Sequence, residues 1–534
     1  MLAYMLDALQ PLPLIASFAG VLLGIVFGIL PGLTATMGIA ILVPLTFGVA
    51  PNIAFAALLG VYVGSIYAGS ITAILISTPG TPAAAATLLE GPAMAKKGQA
   101  GKALSITTWS SFFGGLFSCV ALVFVAPQLA KFALSFGPPE YFAVAFFGLT
   151  VVAMLSSGSL LKGLIGAALG MWLATIGIDP LVGSIRNTLD ISQLLSGVSM
   201  TAALVGLFAI PQVVEKMEEA WQQKIVDRDR NSLQTKIGAK GKIDFLNIIK
   251  KLPNLLRSST VGTIIGIIPA TGSGTASYVS YNECKRFAKN KEEFGTGCED
   301  GLIATETANN AVTGGALVPL LTLGIPGDVV TAVILGALLI QGITPGPMLF
   351  STNPEIVGGI FGSIILANIF MLIIGLWAAK HFIKIIRIPP YVIAPIIVVL
   401  CVIGVYGINN SIFDIYVMMF FGVLGYLLNK MKFPLAPLLL GLILSPLIEE
   451  NFRKSMLISQ GDFSIFFDKN ISLVMLLISF IVFVSVAYKS IKEWIVKLKN
   501  KRSASAQIDS EAESSVVSTY RSKNNSADFS DCGN

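Results

Sequence analysis

The chain has 534 residues, of which 54% are hydrophobic and 12% charged, with a mean hydropathy of +0.78 and a formal net charge of +6. Soluble domains carry about 25% charged residues, so this balance excludes a soluble enzyme and predicts an all-α polytopic membrane protein. No lysine or arginine precedes Lys96, and Asp7 and Glu90 are the only charges before it. The first apolar segment therefore lacks the positive flank of a cleaved signal peptide and is expected to stay in the mature protein.

A helix needs about 20 apolar residues to cross a bilayer. In chain order, such segments are predicted near 12–30, 33–49, 53–76, 103–126, 141–155, 160–177 and 199–214. Further segments are predicted near 260–280, 306–323, 329–350, 356–377, 390–408, 412–428, 434–448 and 471–488. Several are short or rich in glycine and suit re-entrant hairpins. The alternating pattern of a lipid-facing barrel is missing.

Four regions follow. Residues 1–214 form a first transmembrane repeat region, and 215–257 a polar linker whose excess of basic residues places it in the cytoplasm. Residues 258–488 form a second repeat region with additional spans. The segment 489–534 opens with Lys489, Lys492, Lys497, Lys499, Lys501 and Arg502, again a cytoplasmic signal, and ends in a Ser/Asn/Asp-rich tail too poor in apolar residues to fold.

The apolar segments are interrupted by breaks that answer one another. The first half carries Gly28-Ile-Leu-Pro-Gly-Leu-Thr34 and Ser77-Thr-Pro-Gly-Thr-Pro82; the second carries Gly266-Ile-Ile-Pro-Ala-Thr-Gly272 and Gly324-Ile-Pro-Gly-Asp328. Proline removes a backbone donor and glycine costs about 1 kcal/mol in a helix interior, so these runs break helices. Gly24-Ile-Val-Phe-Gly-Ile-Leu-Pro31 matches Gly262-Thr-Ile-Ile-Gly-Ile-Ile-Pro269, and Pro79-Gly80 corresponds to Pro326-Gly327. A further glycine-proline turn follows each, Glu90-Gly-Pro92 and Gln341-Gly-Ile-Thr-Pro-Gly-Pro347. Two structural repeats with broken or re-entrant helices are expected, in inverted orientation. Matching breaks in two halves point to the substrate site of a secondary transporter.

A helix that restarts inside the membrane presents unsatisfied N–H groups and about half a positive charge, which suits a carboxylate. The candidate substrate residues are Pro31, Gly32, Thr34 and Thr36, then Ser77, Thr78, Pro79, Gly80 and Thr81. In the second half they are Pro269, Thr271, Gly272, Ser273, Thr275, Pro326 and Gly327. The plainer alternative is that these small residues let helices pack closely. Asn309, Asn310 and Asp328 offer oxygens for a coupling cation, Na⁺ or H⁺. Asp328 also suits an N-cap, and Glu306 an interfacial helix start. The first half has Thr81 where Asp328 stands, so the expected cation site belongs to the second half.

Enzymatic signatures are missing. Gly98-Gln-Ala-Gly-Lys-Ala103 lacks the spacing of a phosphate loop, no cluster suits zinc, and no serine has a candidate histidine base. No catalytic residue, no cofactor beyond a coupling cation and no nucleic-acid partner is expected. His381 reads as a membrane-interface residue, and Cys284 and Cys298 read as members of a polar loop.

Pro79-Gly-Thr-Pro82 followed by Gly91-Pro-Ala-Met-Ala-Lys-Lys-Gly98, then Glu306-Thr-Ala-Asn-Asn-Ala311 and Gly314-Gly-Ala-Leu-Val-Pro-Leu-Leu-Thr-Leu-Gly-Ile-Pro-Gly327, resemble the large membrane subunit of the tripartite tricarboxylate transporters, of TctA type. The resemblance runs from about Gly20 to beyond Pro446. It implies a permease of the bacterial inner membrane that imports carboxylates such as citrate by symport. It further implies a small membrane subunit and a periplasmic solute-binding protein as partners. The family often has Asp-Gly where this chain has Glu90-Gly91. A receptor-independent organic-anion exchanger or channel is the competing reading.

Overall fold

The structure, a computed structural model, describes residues 2–30, 32–155, 160–226, 245–269, 271–378 and 390–488. The expectations for Pro31, His381 and the 489–534 tail fall outside the described residues. Contacts divide the chain into a unit over Met1–Ser479, which holds the breaks and the site described below, and a second over Phe480–Asn534.

Nearly all of the described chain is helical. Helices α1 (Pro11–Ile29), α2 (Ala35–Leu45) and α3 (Pro51–Ile76) open it, followed by a 3-10 helix over Pro82–Leu89. Then come α4 (Ala100–Ala133), α5 (Pro138–Leu155), α6 (Leu160–Ala174), α7 (Met200–Phe208) and α8 (Ile210–Val226). The second half repeats the opening order with α9 (Leu252–Ile267), α10 (Gly272–Phe287), α11 (Glu299–Leu323) and α12 (Val329–Ile340). It ends with α13 (Pro354–Ala378), α14 (Pro390–Asn409), α15 (Ile412–Lys430), α16 (Leu435–Ile458) and a last helix, α17 (Asn470–Tyr488). A two-residue antiparallel ribbon pairs Gly177–Ile178 with Ile185–Arg186. Among the described residues, nine helices are long and apolar enough to cross a membrane, so the protein is a multi-pass membrane protein.

Several features differ from the sequence reading. The segment expected as 260–280 is two helices, because Ile268 turns extended ahead of Pro269 and a proline disfavours the helical region for its predecessor. Glu306 is not a helix start: α11 begins at Glu299, and Glu306 lies in its buried interior. The polar linker is helical up to Val226 and again over Phe245–Ile249, and Lys251 and Asn254 bond the Asp300 carboxylate at the start of α11. Cys284, expected in a polar loop, is buried on α10.

The centre of the unit is α3, whose apolar window is 94% buried, against 33% for α4. Helix α1 lies along α3 at backbone contact. A Cβ on Gly24 would stand 2.5 Å from the Val61 carbonyl oxygen, and one on Gly28 2.4 Å from that of Ser65. Helix α9 lies along α11 in the same way, with Gly262 against the Ala308 carbonyl at 2.4 Å and Gly266 against Val312 at 2.9 Å. Hydrocarbon gives helices no hydrophobic reason to associate, so close backbone packing of this kind carries much of the attraction.

Candidate functional site: two broken-helix tips and the polar groups between them

Each long helix ends at a break that folds back onto its hairpin. Helix α3 stops at Ser77, in the left-handed region at φ 55°, and the chain returns so that the Gly80 N–H bonds the Gly69 carbonyl at 3.0 Å. A Cβ at Gly80 would meet the Gly28 carbonyl at 2.0 Å and the Gly69 Cα at 2.9 Å. Helix α11 stops at Gly324, φ 71°, and a Cβ at Gly327 would meet the Gly266 carbonyl at 2.3 Å and the Ala316 Cα at 2.6 Å. The same three-way contact of tip, break and long helix thus occurs in both halves. One constant sequence offset carries Val61 onto Ala308, Ser65 onto Val312, Ala68 onto Gly315, Gly69 onto Ala316 and Gly80 onto Gly327.

The structure brings some predicted residues together and separates others. An ideal Cβ on Gly274, in the first turn of α10, lies 3.5 Å from the Pro82 carbonyl, so the second tip adjoins the first break. Ser273 and Thr81 are buried there, whereas Ser77, Thr78 and Thr275 are exposed. Thr271 donates its hydroxyl to the Ile268 carbonyl at 2.8 Å, closing the end of α9. Gly272 takes φ +68°, a conformation glycine adopts without strain. Gly32, Thr34 and Thr36 lie elsewhere. Thr34 caps α2 by accepting from the Met37 N–H and donates to Gln212 of α8, while the Lys216 side chain lies over Gly32. Pro326 and Gly327 are buried against α9 and α11.

The polar groups on α11 are fully enclosed. Asn310 donates to the Ser111 hydroxyl at 2.7 Å and to the Glu306 carbonyl at 3.1 Å. Asn309 is 1% exposed, and neither its amide nitrogen nor its oxygen has a protein partner. Asp328 is the N-cap of α12: Oδ1 accepts from the Thr331 N–H and hydroxyl, both at 2.7 Å, and Oδ2 accepts from the Tyr62 hydroxyl at 2.7 Å. Both carboxylate oxygens are therefore engaged within the protein.

Two carboxylates outside the predicted set stand out. Glu90 accepts from the Tyr281 hydroxyl at 2.7 Å and from the N–H groups of Gly295 at 2.6 Å, Gly297 at 2.7 Å and Cys298 at 2.7 Å. It anchors the end of the first break to the loop that starts α11, where the helix dipole also favours its charge. Gln341, after the second break, donates to the Thr46 carbonyl just ahead of α3 at 2.9 Å, a reciprocal tie between the halves. Glu306 accepts from the Ser70 hydroxyl of α3 at 2.6 Å and from the Thr87 hydroxyl of the 3-10 helix. No local pattern marked these partners, because they lie on the other half of the chain.

Buried breaks, freed backbone groups and enclosed carboxylates inside a multi-pass helical bundle define a membrane transport protein. The model of the tripartite tricarboxylate transporter TctA family matches residues 14–440, and the chain belongs to that family. It is accordingly the membrane subunit of a tricarboxylate transporter. Two proteins of Agrobacterium vitis are similar to it. An uncharacterized 52.8 kDa protein of the TAR-I ttuC' 3' region is 40% identical over 460 residues, 86% of this chain and 90% of the relative. An uncharacterized protein of the TAR-II ttuC' 3' region is 42% identical over 205 residues, 38% of this chain and 85% of the relative.

Proposed function

We propose that the chain is the permease of a binding-protein-dependent secondary transporter that imports tricarboxylates or related carboxylates, driven by a Na⁺ or H⁺ gradient. The observation that carries this reading is the meeting of two helix starts. The first turn of α10 adjoins the start of the 3-10 helix at Pro82, so two helix N-termini lie side by side. Exposed hydroxyls of Ser77, Thr78 and Thr275 stand beside them. Such ends stabilise an anion without the cost of a buried arginine. Asn309 and Asn310 serve the cation, and Asp328, fixed by its cap, holds the second break in place.

The cross-ties support an inverted arrangement. Glu90, past the first break, meets the start of α11, and Gln341, past the second, meets the residues leading into α3. The two hairpins then open toward opposite faces, as alternating access requires. Lys102 and Lys251 pair with Glu299 and Asp300 at the α11 start, and Lys96 and Lys97 shortly precede Lys102 in the sequence, which favours that face as cytoplasmic, in a bacterial inner membrane. A small membrane subunit and a periplasmic solute-binding protein complete the transporter.

Vesicles holding this chain with its small subunit test the reading. A panel of carboxylates is offered with and without the binding protein, and with and without an imposed cation gradient. Uptake that needs both supports the proposal. Robust uptake without binding protein sinks the receptor-dependent part.

A further inference from the structure

We propose that Glu306, with Ser70, Thr87, Thr81 and Asn309, forms the sodium site that couples transport. The proposal deepens the cation-driven reading above and rests on it.

Glu306 is 0% exposed, and among the described residues it makes no ion pair; two hydroxyls are its side-chain partners. A carboxylate enclosed in low dielectric without an opposite charge is costly by several kcal/mol, so an external cation is the natural complement. All the partners come from the other half of the chain. Thr81 lies against α3 next to that cluster: a Cβ on Gly69, the residue before Ser70, would stand 2.3 Å from the Thr81 hydroxyl. Asn309 follows Glu306 by three positions, on the same side of the helix.

Comparison of the two halves separates packing from function. The constant offset between them carries Tyr62 onto Asn309 and Thr81 onto Asp328. In one pair the Tyr62 hydroxyl closes on Asp328. In the other, the Asn309 amide nitrogen, the Asn309 oxygen and the Thr81 hydroxyl are all buried without a protein partner. The same offset carries Glu306, Ser70 and Thr87 onto Leu59, Leu317 and Ile334, which are 1%, 1% and 2% exposed. Apolar side chains thus fill the equivalent places where packing alone is needed. The polar set on the first break is a departure from that packing, and buried unsatisfied oxygens beside an uncompensated carboxylate call for a hard cation. A proton would neutralise Glu306 but supply only one donor, whereas sodium draws the Glu306, Asn309 and Thr81 oxygens together. Thr81 also adjoins the carboxylate end of the site, which places cation and anion on either side of one residue.

The test uses the purified full-length chain in detergent, with Na⁺ itself as the probe and K⁺ at equal ionic strength as the reference. Radioactive sodium binding and thermal unfolding are both read. Sodium, and not potassium, is expected to bind and to raise the melting temperature, and Glu306→Gln to abolish both effects. Thr81→Ala, which leaves the carboxylate in place should Glu306→Gln fold poorly, is expected to raise the half-saturating sodium concentration about tenfold. Ser363→Ala, on α13, is expected to bind as the unaltered protein does. Absence of sodium binding in the unaltered protein, or wild-type binding in Glu306→Gln or Thr81→Ala, overturns the proposal. Because this readout needs neither substrate nor binding protein, its failure is distinct from failure of the carrier reading in vesicles.

Discussion

The Tyr62 hydroxyl, in the middle of α3, donates to the Asp328 carboxylate at the start of α12 across 2.7 Å, joining residues 266 positions apart in the chain. The bond ties the second break to the central helix of the first half. It also uses the carboxylate oxygen that the capping box leaves open. Rigid breaks matter in a carrier because freed backbone groups at membrane depth must be held where protein or ligand satisfies them.

That bond and the cap are expected to be worth measuring separately. Asp328→Ala removes the N-cap, worth about 1 kcal/mol, and strands the Tyr62 hydroxyl at a further cost of about 1–3 kcal/mol. Tyr62→Phe leaves the cap intact and is expected to cost less. Thermal unfolding of the two variants and of their combination gives the coupling; strict additivity would show that the contact contributes nothing.

Glu90 is expected to be structural. Glu90→Ala removes the acceptor of the buried Tyr281 hydroxyl, at roughly 1–3 kcal/mol, and of the N–H groups of the less buried Gly295, Gly297 and Cys298. The expected outcome is a chain that fails to give a monodisperse elution peak, with Glu90→Gln intermediate. Sodium binding by the folded fraction of Glu90→Gln is expected to match the unaltered protein.

Gly80 and Gly327 are expected to tolerate no side chain. A Cβ would sit 2.0 Å from the Gly28 carbonyl at the first and 2.3 Å from the Gly266 carbonyl at the second. Overpacking by one methyl group costs about 1–3 kcal/mol, and backbone atoms cannot step aside as a side chain does. Gly407→Ala, on α14 with nothing within 4 Å of its Cβ, is the control and should melt at or slightly above the parent. Equal melting temperatures for Gly80→Ala and Gly407→Ala would contradict the close approach.

Asp179, in the loop after α6, gives a pH prediction. Its hydrogen bonds from Arg453, at 2.8 and 3.0 Å, and then from the Leu181 N–H hold its carboxyl at about 2, below the ordinary 3.8. A depressed value means the unfolded chain binds the proton more readily. The stabilisation is therefore complete above pH 3.8 and is lost as the pH falls toward about 2. Melting temperatures across that window should fall for the parent, and Asp179→Asn should flatten this part of the fall.

Much of the architecture was legible in the sequence because its causes are local. Charge scarcity set the membrane class, and the prolines and glycines at Gly28–Thr34, Ser77–Pro82, Gly266–Gly272 and Gly324–Asp328 set the breaks, since a missing donor and a fixed φ act within one turn. The same locality made the N-cap one of the two readings of Asp328, beside the cation ligand. What the tertiary structure decided was which break meets which, and what each buried polar group is for. Ser70 and Glu306 are 236 residues apart, and Glu90 and Tyr281 are 191 apart. Those separations lie beyond any periodicity, so Glu306 read as a helix start and Glu90 as an unexplained departure. Only the packing of one half on the other turns a lone carboxylate into an anchor at Glu90 and into a buried carboxyl with hydroxyl partners at Glu306, because desolvation and hydrogen-bond supply are properties of the enclosure rather than of the segment.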